Sequence, residues 1–106
     1  MNNHNEKMEQ AITREAAMFF EREGNRNSLI TITRTAISPR GTSATLYVSV
    51  FPENKEKAAL DFVKRNLGEF RKSLRERIKS KAIPSLSVMA DYGEKSRDHI
   101  NKLLME

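Results

Sequence analysis

Hydrophobic positions in the first half of the chain follow two different periods, which predict one helix and two strands. From Glu6 to Glu23, apolar residues recur every three or four positions, which indicates an amphipathic helix. Leu29 to Ser38 is rich in β-branched residues and Ala44 to Phe51 has a two-residue period, so both are predicted to be strands. A turn at Pro39–Gly41 separates them, which predicts an antiparallel hairpin with one face on the core. The uneven alternation of the first strand predicts a bulge near Arg34–Ala36.

The second half of the chain is predicted to be mainly helical. A polar run from Glu53 opens a helix, Gly68 interrupts its apolar pattern, and a second helix resumes at Phe70 and ends before Pro84. Alternation then predicts a third strand from Leu86 to Ala90. Residues 94–105 read as a last short helix with three apolar residues on one side: Ile100, Leu103 and Leu104.

The predicted order is therefore α-β-β-α-α-β-α. It indicates an α+β two-layer domain in which helices cover one face of a three-stranded sheet. We expect residues 1–5 to be a disordered tail and residues 6–106 to form a single domain. The pattern leaves the direction of the last strand open.

Composition narrows the range of possible functions. The 106 residues include no cysteine, which excludes disulfides, thiol catalysis and Cys-ligated metal sites. No apolar run is long enough to cross a bilayer, and residues 1–7 lack the apolar stretch of a signal peptide, so we expect a cytoplasmic protein with no membrane partner. The formal net charge of +5 favours an anionic partner.

The positive charge is concentrated in one segment. Residues 64–81 hold eight cations against two anions, Glu69 and Glu76, whereas the rest of the chain holds eleven cations and twelve anions. On a helix, Arg71, Arg75 and Lys79 lie one residue beside the apolar positions, which places them about 100° around the axis. Like charges at four-residue spacing repel one another, and a partner that supplies phosphates relieves this repulsion.

The segment is therefore a candidate RNA-binding surface. A solvated basic helix face is the competing interpretation. We expect Gly68 either to kink the helices or to let a ligand approach the backbone closely, and a helix beginning there would offer free N–H groups to a phosphate. The candidate residues are Lys64, Arg65, Asn66, Gly68, Arg71, Lys72, Arg75, Arg77, Lys79 and Lys81.

The residues around Gly68 partly match a KH domain, which clamps RNA with a Gly-x-x-Gly loop, although only Gly68 is present. A stricter resemblance covers about 95 residues. The sequence resembles the bacterial ribosome-binding factor A family, whose type II KH-like fold has an Ala-x-Gly kink where this chain has Asn66-Leu67-Gly68. The other matching segments are Glu9-Gln10, Arg14-Glu15, Ile30–Thr33, Ile37-Ser38, Leu46–Val50, Ile83–Leu86 before Asp91, and Ile100–Leu104.

The resemblance implies a non-enzymatic assembly factor that binds 16S ribosomal RNA in immature 30S subunits. It further implies support of late 30S maturation and of 16S 5′-end processing, with the greatest importance in the cold. We expect a monomer without cofactor, metal or small-molecule substrate. The two histidines, His4 and His99, are too few for a metal site.

Two alternatives remain open at this point. One is a stand-alone KH-like module that binds other RNA, and the other is a protein-interaction domain whose basic helix docks on an acidic partner. Tyr47 points away from the predicted core side of its strand and is a candidate for stacking on a base.

Overall fold

The computed structural model describes residues 3–23, 28–78 and 82–92. Their elements are α1 (Asn3–Glu23), β1 (Leu29–Ile37), β2 (Ser43–Phe51), a 3₁₀ turn (Glu53–Lys55), α2 (Glu56–Arg77) and β3 (Ser85–Ala90). The predicted α+β fold is confirmed, since α1 and α2 both pack on one face of a three-stranded sheet. The predicted last helix at 94–105 lies outside the described residues.

The hairpin of β1 and β2 is antiparallel, as predicted, and contains a bulge. Ile32 pairs with Val48 and Arg34 with Tyr47, which leaves Thr33 as the extra residue, just before the predicted position. The extra residue changes the parity of β1, so that Ile32 and Thr35 both face the core. This explains the uneven alternation in the sequence.

The third strand lies beside β2, on the side away from β1, and runs parallel to β2. The parallel direction, which the sequence pattern left open, follows from the connection: α2 carries the chain back to the end of the sheet where β2 begins. The backbone N–H of Ser85 donates to the carbonyl of Thr42 at 3.1 Å, which sets the start of β3 beside the hairpin tip.

The core lies between the helices and the covered face of the sheet. Four aromatic rings from the two helices meet there, with centroid separations of 5.0–6.3 Å: Phe19, Phe20, Phe62 and Phe70. Leu46 and Val48 of β2 are completely or almost completely buried beneath the helices. Each such side chain contributes about 1.5–3 kcal/mol on burial, so this shared core holds the helices on the sheet.

The first helix begins earlier than predicted. Residues 3–5, which we predicted in a disordered tail, are part of α1. Asn5 is half-buried beside the hairpin tip, where its Oδ1 lies 4.0 Å from the position of a Cβ on Gly41. Farther along, the backbone N–H of Ile37 donates to the Glu9 carboxylate at 2.8 Å. Contact with β1 therefore supports a helical start that is too polar to be recognised from its pattern.

The predicted break between two helices at Gly68 is wrong. A single helix of 22 residues, α2, runs from Glu56 to Arg77 without interruption. Ala59 and Val63 are buried before the glycine, and Phe70 and Leu74 are buried after it. These positions are four, seven and four residues apart, so they stay on one side of a continuous helix. Burial along this side outweighs the cost of about 1 kcal/mol for an interior glycine.

Candidate nucleic-acid interface

The side of α2 opposite its buried residues carries a group of exposed cations. Lys64, Arg65, Lys72 and Arg75 point away from the sheet, and all four are exposed. Among the described residues, none of the four has an ion-pair partner within 4.0 Å. We call these four residues the cationic face of α2. They are the predicted site residues that the fold brings together.

Gly68 lies in the middle of the cationic face. Lys64 and Arg65 precede it by four and three residues, and Lys72 follows it by four, so all three surround it on the helix surface. Gly68 is exposed, and a Cβ built on it would meet no atom within 4 Å. The glycine therefore leaves a patch of bare helix backbone among the cations.

The prediction that a helix begins at Gly68 and offers free N–H groups is wrong. In the interior of a continuous helix, the backbone N–H groups donate to carbonyls one turn earlier. What Gly68 leaves is an open stretch of helix surface, because no side chain stands between the backbone and the surroundings there.

Arg71 is at the edge of the cationic face and is tied to the backbone before β3. Its Nε donates to the carbonyl of Pro84 at 3.2 Å, and its Nη2 donates to the carbonyl of Ile83 at 2.7 Å. The side chain is half-buried. Arg71 thus holds α2 to the start of β3, a contact that the charge pattern alone did not indicate.

Two other predicted residues make contacts within the fold: Arg77 pairs with α1, and Asn66 bonds to the backbone of α2. The Nε of Arg77 lies 2.6 Å from the Glu15 carboxylate, whose side chain is only 15% exposed. Asn66 is half-buried, and its Nδ2 donates to the carbonyl of Phe62 at 2.8 Å. Both side chains serve contacts within the fold. The remaining predicted cations, Lys79 and Lys81, lie outside the described residues.

Opposite charge gathers at the end of the fold where β2 and β3 stop. A shallow cavity there is lined by Glu53, Glu56, Asp91 and Tyr92, together with residues of β2. The hydroxyl of Tyr92 donates a hydrogen bond to Glu56. This bond, followed by burial and the charges of Glu56 and Glu53, raises the pKa of Tyr92 above its ordinary value. Three of the side chains that line this cavity are therefore carboxylates, in contrast to the cationic face of α2.

Tyr47 is on the uncovered face of the sheet, as its parity predicted, but its ring is already occupied. The Arg34 guanidinium lies over it, 3.9 Å from the ring centroid. The Arg34 Nε is also 3.7 Å from the Asp91 carboxylate, which accepts a hydrogen bond from Thr33. The bulge at Thr33 brings these residues together. Because sequence spacing alone did not place the bulge at Thr33, this group was not predicted.

The described part of the chain has no cluster of three or more His, Cys, Asp or Glu residues able to hold a metal ion. Its helices include none with the length and apolar character that crossing a membrane requires.

The comparisons with known proteins agree on one family. The model of the family described as ribosome-binding factor A matches residues 4–104. The crystal structure of ribosome-binding factor A from Thermus thermophilus superposes with a TM-score of 0.72 and 22% identity, over 81% of this chain and 94% of that one.

A homology model of the Thermus thermophilus protein was fitted into a cryo-EM map of its complex with the 30S subunit. It gives a TM-score of 0.66 and 22% identity, over 74% of this chain and 86% of that one. Among curated proteins, no sequence gives a significant match. At this level of identity the solved structures establish the fold, and the family model establishes the family.

Proposed function

The chain belongs to the ribosome-binding factor A family, and we propose that it is a non-enzymatic assembly factor that binds immature 30S subunits in the cytoplasm as a monomer. The related Thermus thermophilus protein has been fitted into a map of its complex with the 30S subunit, which supports this partner. For this chain we propose contact with 16S ribosomal RNA. Late 30S maturation and 16S 5′-end processing are the steps we propose to depend on it, above all in the cold.

The observation that carries the proposal is the arrangement of the cationic face around Gly68. The four cations are exposed and have no anionic partner within 4.0 Å among the described residues, and the backbone at their centre is bare. A generic solvated helix would gain about 1 kcal/mol from alanine in place of an interior glycine. Close approach of a sugar–phosphate backbone explains why glycine stands there.

The mechanism we propose is physical. The Lys and Arg side chains of the cationic face displace counterions that are condensed on the RNA phosphates, and this release supplies most of the affinity. Gly68 lets one stretch of RNA backbone lie close against α2. A folded domain bound in this way holds one RNA conformation until maturation proceeds, without any bond being made or broken in the protein.

The test is co-sedimentation with purified ribosomal particles. We expect the wild-type protein to sediment with 30S particles and much less with 50S or 70S particles. A variant in which the four residues of the cationic face are replaced by Ala should lose most of this binding. Equal binding of the wild type to all three particles would contradict the proposed partner.

A matched control variant separates the surface from the net charge. Lys7, Arg14, Arg40 and Lys55 are exposed cations elsewhere on the fold, and their replacement by Ala removes the same formal charge. We expect this control to retain most 30S binding. Equal losses in both variants would contradict the assignment of the site to α2.

Recovery of bound molecules from cells distinguishes the remaining functions. Our proposal predicts that 16S ribosomal RNA dominates the bound RNA. Dominance of other RNA would favour a stand-alone KH-like module. A protein partner that stays bound after nuclease treatment would favour a protein-docking helix.

A further inference from the structure

Two carboxylates interrupt the positive charge on the outer side of α2. Glu69 and Glu76 are both exposed, and they stand seven residues apart, so they lie on one side of the helix. Glu69 follows Arg65 by four residues and Glu76 follows Lys72 by four, which is the spacing at which helical side chains pair. Among the described residues, however, neither carboxylate has a cation within 4.0 Å. Both negative charges therefore remain available to act on a bound molecule.

The two carboxylates lie at one edge of the cationic face. At about 100° per residue, Glu69 and Glu76 are about 100° and 80° from Gly68 around the helix axis, in the same direction. Lys64 and Arg75 are about 40° and 20° from Gly68 in the opposite direction. The other two members of the cationic face lie between Gly68 and the carboxylates. The positive charge is therefore least opposed on the side of Gly68 away from the carboxylates.

The neighbouring elements show which side of the domain this edge faces. On the carboxylate side, about 120° from Gly68, the ring of Phe62 packs against Phe20 of α1 with the centroids 6.3 Å apart. On the other side, Arg71 binds the backbone that leads into β3. The carboxylates therefore stand between the cationic face and α1, whereas residues 64–77 place no carboxylate on the β3 side of the helix.

Carboxylates beside a group of cations limit where a polyanion can lie. Two like unit charges about 7 Å apart in water repel with an energy comparable to the thermal energy, and this repulsion fades beyond a Debye length of about 8–10 Å. An RNA backbone that follows Lys64, Gly68 and Arg75 stays about a third of a turn away from the carboxylates. A backbone that spreads toward α1 brings its phosphates against Glu69 and Glu76. The two paths over α2 therefore differ in electrostatic energy.

We propose that Glu69 and Glu76 determine which RNA the cationic face accepts, by confining the RNA backbone to the β3 side of α2. RNA whose shape fits this path keeps the attraction of the cations, whereas RNA that also contacts the α1 side loses part of it through repulsion. Discrimination of this kind comes from opposing the wrong partner as well as from attracting the right one. The inference rests on the proposed function, since it concerns the specificity of the same surface.

The test compares the affinity for 30S particles with the affinity for 50S particles, and the ratio of the two affinities measures specificity. We expect a variant with Glu69→Gln and Glu76→Gln to bind 50S particles between about threefold and tenfold more tightly, which is the effect of removing two unit charges about 7 Å from a phosphate. Its affinity for 30S particles should change by less than about twofold, since the RNA bound there lies away from both carboxylates. The ratio should therefore fall.

The matched control is a variant with Glu6→Gln and Glu21→Gln. Both residues are exposed on α1, and the Glu6/Glu21 variant has the same formal net charge as the Glu69/Glu76 variant. We expect the Glu6/Glu21 variant to keep a ratio of affinities close to that of the wild type. Glutamine and glutamate have similar helix propensities, so thermal unfolding should show that both variants remain folded.

Three results would overturn the inference and leave the proposed function intact. An unchanged ratio in the Glu69/Glu76 variant would show that the two carboxylates do not face the rejected RNA. Equal changes of the ratio in both variants would show that total charge is responsible. Weaker 30S binding by the Glu69/Glu76 variant would show that the carboxylates contribute to binding. Wild-type protein that binds 30S and 50S particles equally would instead contradict the proposed function, and with it this inference.

Discussion

Among the described residues of α2, Gly68 has an identity that the fold does not explain. It stands in the interior of a continuous helix, it is exposed, and the space where a Cβ would lie is empty. Neither a kink nor a close packing contact requires glycine at this position. The sequence indicated that position 68 is unusual. The apolar pattern was equally consistent with a break between two helices, and that interpretation was wrong.

We expect Gly68→Ala to have two opposing effects, one on stability and one on binding. We expect the variant to be more stable by about 1 kcal/mol, because alanine has the higher helix propensity and meets no clash. For a domain of this size such a gain raises Tm by roughly 4–8 °C. We also expect weaker 30S binding, since a methyl group now stands between helix and RNA.

Thermal unfolding and co-sedimentation measure the two effects separately. Destabilisation would show that the fold itself needs glycine. A more stable variant with unchanged 30S binding would remove Gly68 from the site.

Arg71 differs from its neighbours because it serves the fold. Its guanidinium donates to two consecutive backbone carbonyls, those of Ile83 and Pro84. We expect Arg71→Ala to lower the free energy of unfolding by about 1.5–3 kcal/mol, the range for hydrogen bonds made by charged groups. Arg71→Lys should recover only part of this, because an ammonium group does not reproduce the forked geometry.

Urea unfolding measures the loss, and Arg75→Ala is its control. Arg75 is exposed, so its replacement should change stability by no more than about 0.5 kcal/mol. Equal effects of Arg71→Ala and Arg75→Ala would contradict the structural contact. A loss of RNA binding in an Arg71 variant is meaningful only after its stability is known.

Between elements, the contact of the β3 end with the start of α2 is sensitive to pH. The hydrogen bond from Tyr92 to Glu56 raises the pKa of Tyr92 above the value of 10.0 that it has without such contacts. The folded state therefore holds the phenol proton more tightly than the unfolded state. The resulting stability is fully present below pH 10 and is lost as the pH rises through the higher, folded-state pKa.

We expect Tyr92→Phe to lose this alkaline component of the stability profile. The measurement is the free energy of unfolding of both proteins between about pH 8 and pH 11, and the difference between them should shrink as the pH rises. Glu56→Gln should lower the pKa of Tyr92 relative to the wild type. A difference that stays constant over this range would contradict the hydrogen bond.

The elements themselves were largely predictable from the sequence, because their signals are local. The hairpin follows from β-branched segments around a Pro–Gly turn, and α1 follows from its apolar period. The parallel direction of β3 was not predictable, because it depends on where the far end of α2 places the chain. A break in α2 was predicted from the sequence because glycine commonly interrupts helices. The interval of seven residues from Val63 to Phe70, which is close to two helical turns, keeps both residues on the same buried side and indicates a continuous helix.

The sequence predicted the general position of the candidate site, but it did not predict which residues belong to it. Clustered cations show in the sequence, but the partner of each cation depends on tertiary contacts. The carbonyls that bind Arg71 and the carboxylate that binds Arg77 come from other elements. Exposure and helix angle then reduce the candidates to the cationic face and Gly68.

Across the domain, charge is distributed unevenly, although the carboxylates Glu69 and Glu76 are also exposed on α2. The cationic face covers the outer side of α2, whereas Glu53, Glu56 and Asp91 surround the cavity where β2 and β3 end. We expect a field of this kind to orient the domain toward a polyanion as well as to attract it. The formal net charge alone therefore does not describe how the surfaces of the domain differ in charge.

A salt titration tests whether the surface or the net charge governs binding. The logarithm of the affinity for single-stranded RNA falls with the logarithm of the salt concentration by roughly 0.7 per neutralised phosphate. If each cation of the cationic face neutralises one phosphate, replacing all four by Ala should lower the slope by about 3. The control variant lacking Lys7, Arg14, Arg40 and Lys55 has the same formal net charge and should keep a slope close to that of the wild type. Equal slopes in the two variants would mean that RNA binding depends on the total charge of the protein. That result would contradict the assignment of the interface to the cationic face.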